Sequence, residues 1–267
     1  MRLSNYSALT FDCYGTLIDW ERGMLAALTP WLERARIEAD ESSLLAAYGR
    51  HETVVQTENP GMPYRDIVAR VLGRMADDFN ATASEDEMRE FGAAVGTWPP
   101  FPDSCEAMAY LRRHFKLVAI TNVDNQSFAR THVLLGEPFH AIVTAEDVGS
   151  YKPALENFHY AFGKVSELGV VRDKILHVAQ SLYHDIAPAR ELGLANVWVD
   201  RQTGRGRGMT PPTDAAPGSP RHHHGGAGGA SLERRLTPDA PRIHARFSFR
   251  PFAGGAVADL DRYGAPQ

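Results

Sequence analysis

The sequence predicts an α/β fold: a doubly wound parallel sheet with helices on both faces, and a helical cap inserted after the first strand. Three observations predict it. Five short segments are almost continuously apolar, helical periodicities alternate with the later ones, and one long stretch after the first segment carries helical periodicity alone. Strands buried on both faces read as unbroken apolar runs because crossover helices cover a parallel sheet. The alternation itself is the mark of βαβ units.

The first strand is expected over 8–11, followed at once by Asp12 and, three positions on, by Gly15, which lets the chain turn sharply. From 20 to 98 only helical spacing appears. Met24, Leu25, Leu28, Trp31 and Leu32 form one apolar stripe, and Ile67, Val68, Val71, Leu72 and Met75 another. A helical cap over the strand ends would close a site against water. Trp98, Pro99, Pro100, Phe101 and Pro102 make a stiff re-entry, since proline fixes φ and excludes helix. The core then alternates: helix 105–114, strand 117–120, helix 126–135, strand 141–144, helix 154–168 with Pro153 able to start it, strand 175–179, helix 186–192 and strand 196–199. This divides the chain into a core of 1–19 and 99–202, a cap of 20–98 and a tail of 203–267. The tail is rich in glycine and proline, carries His222, His223 and His224, and is expected to be largely disordered. Flexible flanks argue against a preorganised metal site at those histidines. Phe247, Phe249 and Phe252 are candidates for a last short strand that docks back.

Charge is nearly balanced, 28 basic against 33 acidic side chains, so no basic field marks a nucleic-acid binder and a small-molecule partner is favoured. No apolar run approaches the roughly 20 residues that cross a bilayer, and no basic segment followed by an apolar stretch opens the chain. A cytoplasmic protein is expected, and a homodimer is compatible with the sequence. Cys13 and Cys105 are too few for a disulfide framework and fit a reducing compartment; Cys13 reads as a small buried thiol.

In such a sheet the ligand site lies outside the carboxyl ends of the strands, so each polar residue directly after a strand is a candidate. Asp12 either presents its carboxylate to that crevice or caps the following turn. Thr121 and Asn122 can donate hydrogen bonds to a substrate oxygen or leaving group, or N-cap the next helix. Lys152, in Ser150-Tyr151-Lys152-Pro153, is either solvated or turned inward to keep a carboxylate ionised and offset substrate charge. Asp185, in Gln180-Ser181-Leu182-Tyr183-His184-Asp185, is either a helix N-cap or the group that orients Lys152 and activates water.

Taken together in order, Phe11-Asp12-Cys13-Tyr14-Gly15-Thr16-Leu17, Thr121-Asn122, Lys152-Pro153 and Asp185 resemble the four motifs of the haloacid dehalogenase superfamily over about 200 residues. The resemblance implies a Rossmann-like core with the cap where the family's cap belongs. It makes Asp12 the nucleophile, Thr16 and Thr121 the groups that position it and the substrate, Lys152 the electrostatic clamp and Asp185 its partner.

Phosphatases of the superfamily carry a second aspartate two residues after the nucleophile as general acid, where this chain has Tyr14. Gln180 stands where the first acid of the fourth motif is expected. Mg²⁺ prefers carboxylate oxygens, so both losses disfavour metal binding and leaving-group protonation, whereas a halide leaves without either. The sequence therefore looks like a type II, L-2-haloacid dehalogenase-like enzyme, without cofactor, that converts short 2-haloalkanoic acids to 2-hydroxy acids through an ester on Asp12. By the same resemblance Asn122 contacts halide, Tyr14 and Ser181 join the substrate site, and a cap arginine, Arg50 or Arg65, cradles the halide. The chain departs from that pattern at Gln180, Ser181 and Leu182, where a Ser-Asn pair is usual, and at Phe158, where a tyrosine is expected. Two other expectations are a Mg²⁺-dependent small-molecule phosphatase with His184 as substitute acid, and a non-catalytic binding protein on the same fold.

Overall fold

The structure, a computed structural model, describes residues 2–201 and the backbone of the two-residue strand Phe249–Arg250. Five strands, β1 (Ala8–Phe11), β2 (Lys116–Thr121), β3 (Ala141–Thr144), β4 (Ile175–Ala179) and β5 (Ala195–Val199), form a parallel sheet in the order β3-β2-β1-β4-β5. Phe249–Arg250 adds a sixth, antiparallel to β5. Strand residues alternate between two apolar layers, as the pleat demands. Leu9, Phe11, Leu117, Ala119, Leu176 and Val178 enter one cluster, while Ala8, Val118, Ile120 and Ile175 enter the other.

Between β1 and the core's next helix lie α1 (Trp20–Ala35), α2 (Glu41–Glu58), α3 (Tyr64–Asp78), α4 (Glu85–Ala93) and a 3₁₀ turn, Ala94–Thr97. All five residues of the second expected stripe are buried; of the first, Met24, Leu28 and Trp31 are buried and Leu25 and Leu32 pack against them partly exposed. Gly92 lets α4 approach α3 closely, since a Cβ there would meet the Arg65 carbonyl oxygen at 2.1 Å. The core helices are α5 (Ser104–Leu111), α6 (Asn125–Leu134), α7 (Ala145–Val148), α8 (Glu156–Glu167) and α9 (Ala187–Glu191). Ala107 and Phe128, on α5 and α6, pack into the first layer; Phe158 and Ala189, on α8 and α9, pack into the second.

Three local expectations are corrected. Pro153 does not start a helix: after a cis Lys152–Pro153 bond the chain turns, and α8 begins at Glu156. Neither Thr121 nor Asn122 caps α6, because Asp124 does so, accepting from the Ser127 amide at 2.9 Å. Asp185 is not an N-cap but lies inside a π-helical turn, Leu182–Ile186, capped by Ser181. The expected tail, with His222, His223, His224, Phe247 and Phe252, lies outside the described residues except for the Phe249–Arg250 backbone. Among the described residues, no helix is long and apolar enough to cross a membrane.

Asp124 also ties the helical insertion to the core. Its fully buried carboxylate accepts from the Arg65 amide at 3.0 Å, the Arg65 guanidinium at 2.7 Å and the Ser127 hydroxyl at 2.8 Å. Burial alone would raise its pKa, but the Ser127 and Arg65 hydrogen bonds hold it below the usual carboxylate value. Asp124→Ala removes a helix cap and a charge-assisted network together, so it should cost about 3 kcal/mol. A lowered urea midpoint at unchanged slope would register that loss.

Candidate active site

The carboxyl ends of β1, β2 and β4 open onto a cleft of about 100 Å³. Asp12, Tyr14, Thr121, Asn122, Lys152, Ser181 and Asp185 line it from the sheet side, and Trp20, Glu52, Gln56, Tyr64 and Trp98 line it from the helical insertion and its exit. Asp12 continues the β1 ladder, its amide donating to the Val178 carbonyl at 3.1 Å. The chain then turns through Gly15, whose φ of +90° is a conformation that side chains rarely adopt. That turn brings the Thr16 hydroxyl back onto Asp12 Oδ2 at 2.5 Å, while the same hydroxyl accepts from the Gln180 amide at 2.9 Å. The ends of β1 and β4 are thereby cross-linked beside Asp12.

Lys152 is 2 % exposed, and its ammonium donates to Asp12 Oδ1 at 2.9 Å, Asp185 Oδ1 at 2.7 Å and the Ile120 carbonyl at 2.9 Å. All three of its N–H bonds are spent on the protein, so its effect on a substrate is by field and not by direct hydrogen bonding. Asp185 also meets His177 Nε2 at 3.2 Å, and His177 Nδ1 meets the Thr10 hydroxyl at 2.9 Å. Burial pushes the Asp12 carboxyl above its ordinary value, against the pull of Lys152. Asp185 goes the other way: burial opposes it, yet Lys152 and His177 hold it below. A desolvated carboxylate fixed at both oxygens is more basic and better aimed than a solvated one, which suits it to attack an electrophile.

The remaining expected residues divide. Thr121 reaches the site with a buried hydroxyl that has no hydrogen-bond partner among the described residues, a donor available to a ligand oxygen. The Asn122 side chain lines the cleft, but its amide grips the Lys152 backbone, accepting at 2.7 Å and donating at 3.0 Å. It therefore positions Lys152 as well, with one amide N–H not used in that grip. Tyr14 contributes its ring, while its hydroxyl bonds Thr131 at 2.7 Å and burial drives its pKa upward. Ser181 lines the cleft and holds the π-helical turn through the His184 amide at 3.0 Å.

Arg50 does not reach the site. Its guanidinium pairs with Asp78 at 2.8 Å and is 62 % exposed, because Arg50 faces away from the cleft on α2. Arg65 is taken by Asp124. The reading of the sequence missed Glu52, Gln56 and His177. Glu52 follows buried Tyr48 by four residues and precedes buried Val55 by three, a spacing that puts it on the inner face of α2. Its carboxylate accepts from the Tyr64 hydroxyl, which in turn contacts the Tyr48 hydroxyl at 3.0 Å.

Magnesium does not fit this donor set. Asp12 and Asp185 are both bonded to Lys152, the ammonium standing between them, and residues 14 and 180 supply no carboxylate. Among the described residues Asp185 Oδ2 is buried without a hydrogen-bond partner, and it is the one oxygen of these two carboxylates that no protein donor already holds. Among the described residues no three His, Cys, Asp or Glu side chains are grouped to hold a metal.

A profile of haloacid dehalogenase-like hydrolases matches residues 6–193. The glyceraldehyde 3-phosphate phosphatase of Methanocaldococcus jannaschii is 26% identical over 146 residues, 53% of this chain; the match spans 60% of that relative's length. Among solved structures, the L-2-haloacid dehalogenase of Xanthobacter autotrophicus superposes with a TM-score of 0.63 at 17% identity, covering 73% of this chain and 78% of that one. A defluorinating L-2-haloacid dehalogenase gives 0.68 at 18% identity, over 80% and 89% of the two chains. A Bacillus subtilis HAD-type protein bound to magnesium gives 0.62 at 20%, over 73% and 88%. At these identities the structural likenesses speak for the fold alone.

Proposed function

The chain belongs to the haloacid dehalogenase-like hydrolases, and from that premise we propose that it displaces halide from short 2-haloalkanoic acids without a metal, through an ester on Asp12. The observation that carries the reading is Lys152 standing between Asp12 and Asp185, with Tyr14 and Gln180 at the two positions where a phosphatase of the family would carry acids. Tyr14 has turned its hydroxyl to Thr131, Gln180 cannot ionise, and burial pushes His184 down to about 4, so it holds no acidic proton near neutrality. Halide is the leaving group that needs none.

In this reading a carboxylate oxygen of Asp12 forms a bond to carbon 2 as the carbon–halogen bond breaks and halide departs with the electron pair, inverting the carbon. Thr121 donates to the substrate carboxylate. A water that gives one proton to Asp185 then adds to the aspartyl carbonyl; the acyl C–O bond breaks, the departing alkoxide takes that proton back from Asp185 to become the 2-hydroxy acid, and the water's other proton is released, leaving Asp12 a carboxylate that carries the water's oxygen. A Mg²⁺-dependent phosphatase is the second reading, favoured by the curated relative. Incubation with each enantiomer of 2-chloropropionate in excess chelator separates them. One chloride per lactate, from one enantiomer and undiminished by chelator, is expected; no chloride from either, with Mg²⁺-dependent phosphate release from p-nitrophenyl phosphate, would defeat the proposal in favour of the second reading.

A further inference from the structure

Three carboxylates, Asp12, Glu52 and Asp185, line the cleft against one ammonium, Lys152. That ammonium is saturated by protein acceptors, and Arg50 and Arg65 are paired with Asp78 and Asp124. The wall contributed by the insertion is thus acidic and aromatic: Glu52 shares it with Trp20, Tyr64 and Trp98. Glu52 Oε1 accepts from the Tyr64 hydroxyl and, at 3.4 Å, from the Gln56 amide; Oε2 has no hydrogen-bond partner among the described residues. Both donors fall on Oε1, so Oε2 is the oxygen left open to a ligand. Such a wall repels a second anion, whereas aromatic rings beside a carboxylate attract an organic cation, with a strength that grows as water is excluded.

We propose that the cleft takes a substrate whose end remote from the attacked carbon carries an ammonium group, recognised by Glu52 within the ring of Trp20, Tyr64 and Trp98. This rests on the halide-displacement reading of the same site and narrows it to ammonium-bearing 2-haloalkanoates. Burial lifts the Glu52 carboxyl above its ordinary value against the Tyr64 hydrogen bond, and a cation placed beside it would pull the other way by favouring its charged form.

Calorimetric titration with two unreactive carboxylates of equal shape, 4-(trimethylammonio)butanoate and 5,5-dimethylhexanoate, tests this without turnover. The wild-type protein is expected to bind the ammonium compound at least about tenfold tighter, equivalent to about 1.4 kcal/mol. Glu52→Gln, which keeps size and hydrogen-bonding capacity, is expected to bind the two alike. Equal or tighter binding of 5,5-dimethylhexanoate by the wild-type protein overturns the inference, as does no detectable binding of the ammonium compound at millimolar concentration; neither result needs the variant to fold. The 2-chloro derivatives of the same pair tell the two ideas apart. Chloride release from both without an ammonium preference defeats the inference and leaves halide displacement standing. An ammonium preference in binding with no chloride from either supports the inference and defeats the displacement.

Discussion

Asp12→Asn is expected to abolish turnover, by at least about 10⁴-fold, while the protein stays folded. The amide cannot form the ester, yet its oxygen can still accept from Lys152 while its NH2 donates to the Thr16 hydroxyl, and Lys152 keeps Asp185 and the Ile120 carbonyl as partners. The loss therefore falls on reactivity and not on the frame. Two measurements read it together. Halide release should vanish at saturating substrate, and protein quenched during turnover should carry the substrate's mass less its halogen on the peptide holding residue 12 in the wild type alone. Residual activity within about tenfold of wild type would show that some other group makes the bond.

Lys152→Met should damage stability as well as activity, because it leaves two carboxylates facing each other in a buried site. Removing one member of a buried ion pair typically costs about 3–5 kcal/mol. The pH dependence has a definite sign. In the wild type burial opposes the Lys152 charge, but Asp12 and Asp185 outweigh it and raise its pKa above the ordinary 10.5. The contribution of a group raised on folding is fully present below its unfolded pKa and is lost only as pH climbs through the folded one, so the wild type keeps it throughout the neutral range. Without the ammonium, Asp12 and Asp185 share a proton, and their raised folded pKa makes the variant most stable in acid and progressively weaker as pH rises through that value. Urea midpoints at pH 4.5 and 7.5 should thus show the gap between variant and wild type widening toward neutrality. An equal gap at both would mean that the three charges are not coupled as the distances imply.

Much of this geometry was legible in the residues, for identifiable reasons. The strands at 8–11, 141–144 and 175–179 were bounded correctly because a strand covered on both faces has no polar alternation to blur its ends. Asp12, Thr121, Lys152 and Asp185 converge because Thr121 ends a strand of one parallel sheet and the other three lie on the segments that leave its strands at the same edge. The insertion was harder to read. Arg50 and Glu52 are two residues apart, about 200° around a helix axis, so deciding which of them faces inward requires the rotation of α2, which its buried Leu44, Ala47, Tyr48 and Val55 mark only weakly beside the neighbouring apolar Leu45, Ala46 and Val54. His177 was hidden differently: it occupies an apolar strand, where its ring is satisfied by Thr10 and Asp185, residues that strand spacing does not connect. The Asn122 amide could equally have met a ligand, and only the path of the Ser150-Tyr151-Lys152 turn commits its oxygen and one N–H to backbone.

Arg65 grips Asp124 with main chain and side chain at once, and Asp124 is also where α6 starts. The insertion and the sheet are consequently not interchangeable modules. Excising 20–98, or grafting a foreign helical unit in its place, would strip a buried anion of two of its donors at the very residue that nucleates a core helix. Chimeras built on this scaffold should carry an Arg65 equivalent across with the graft, or replace Asp124 with a neutral cap such as serine.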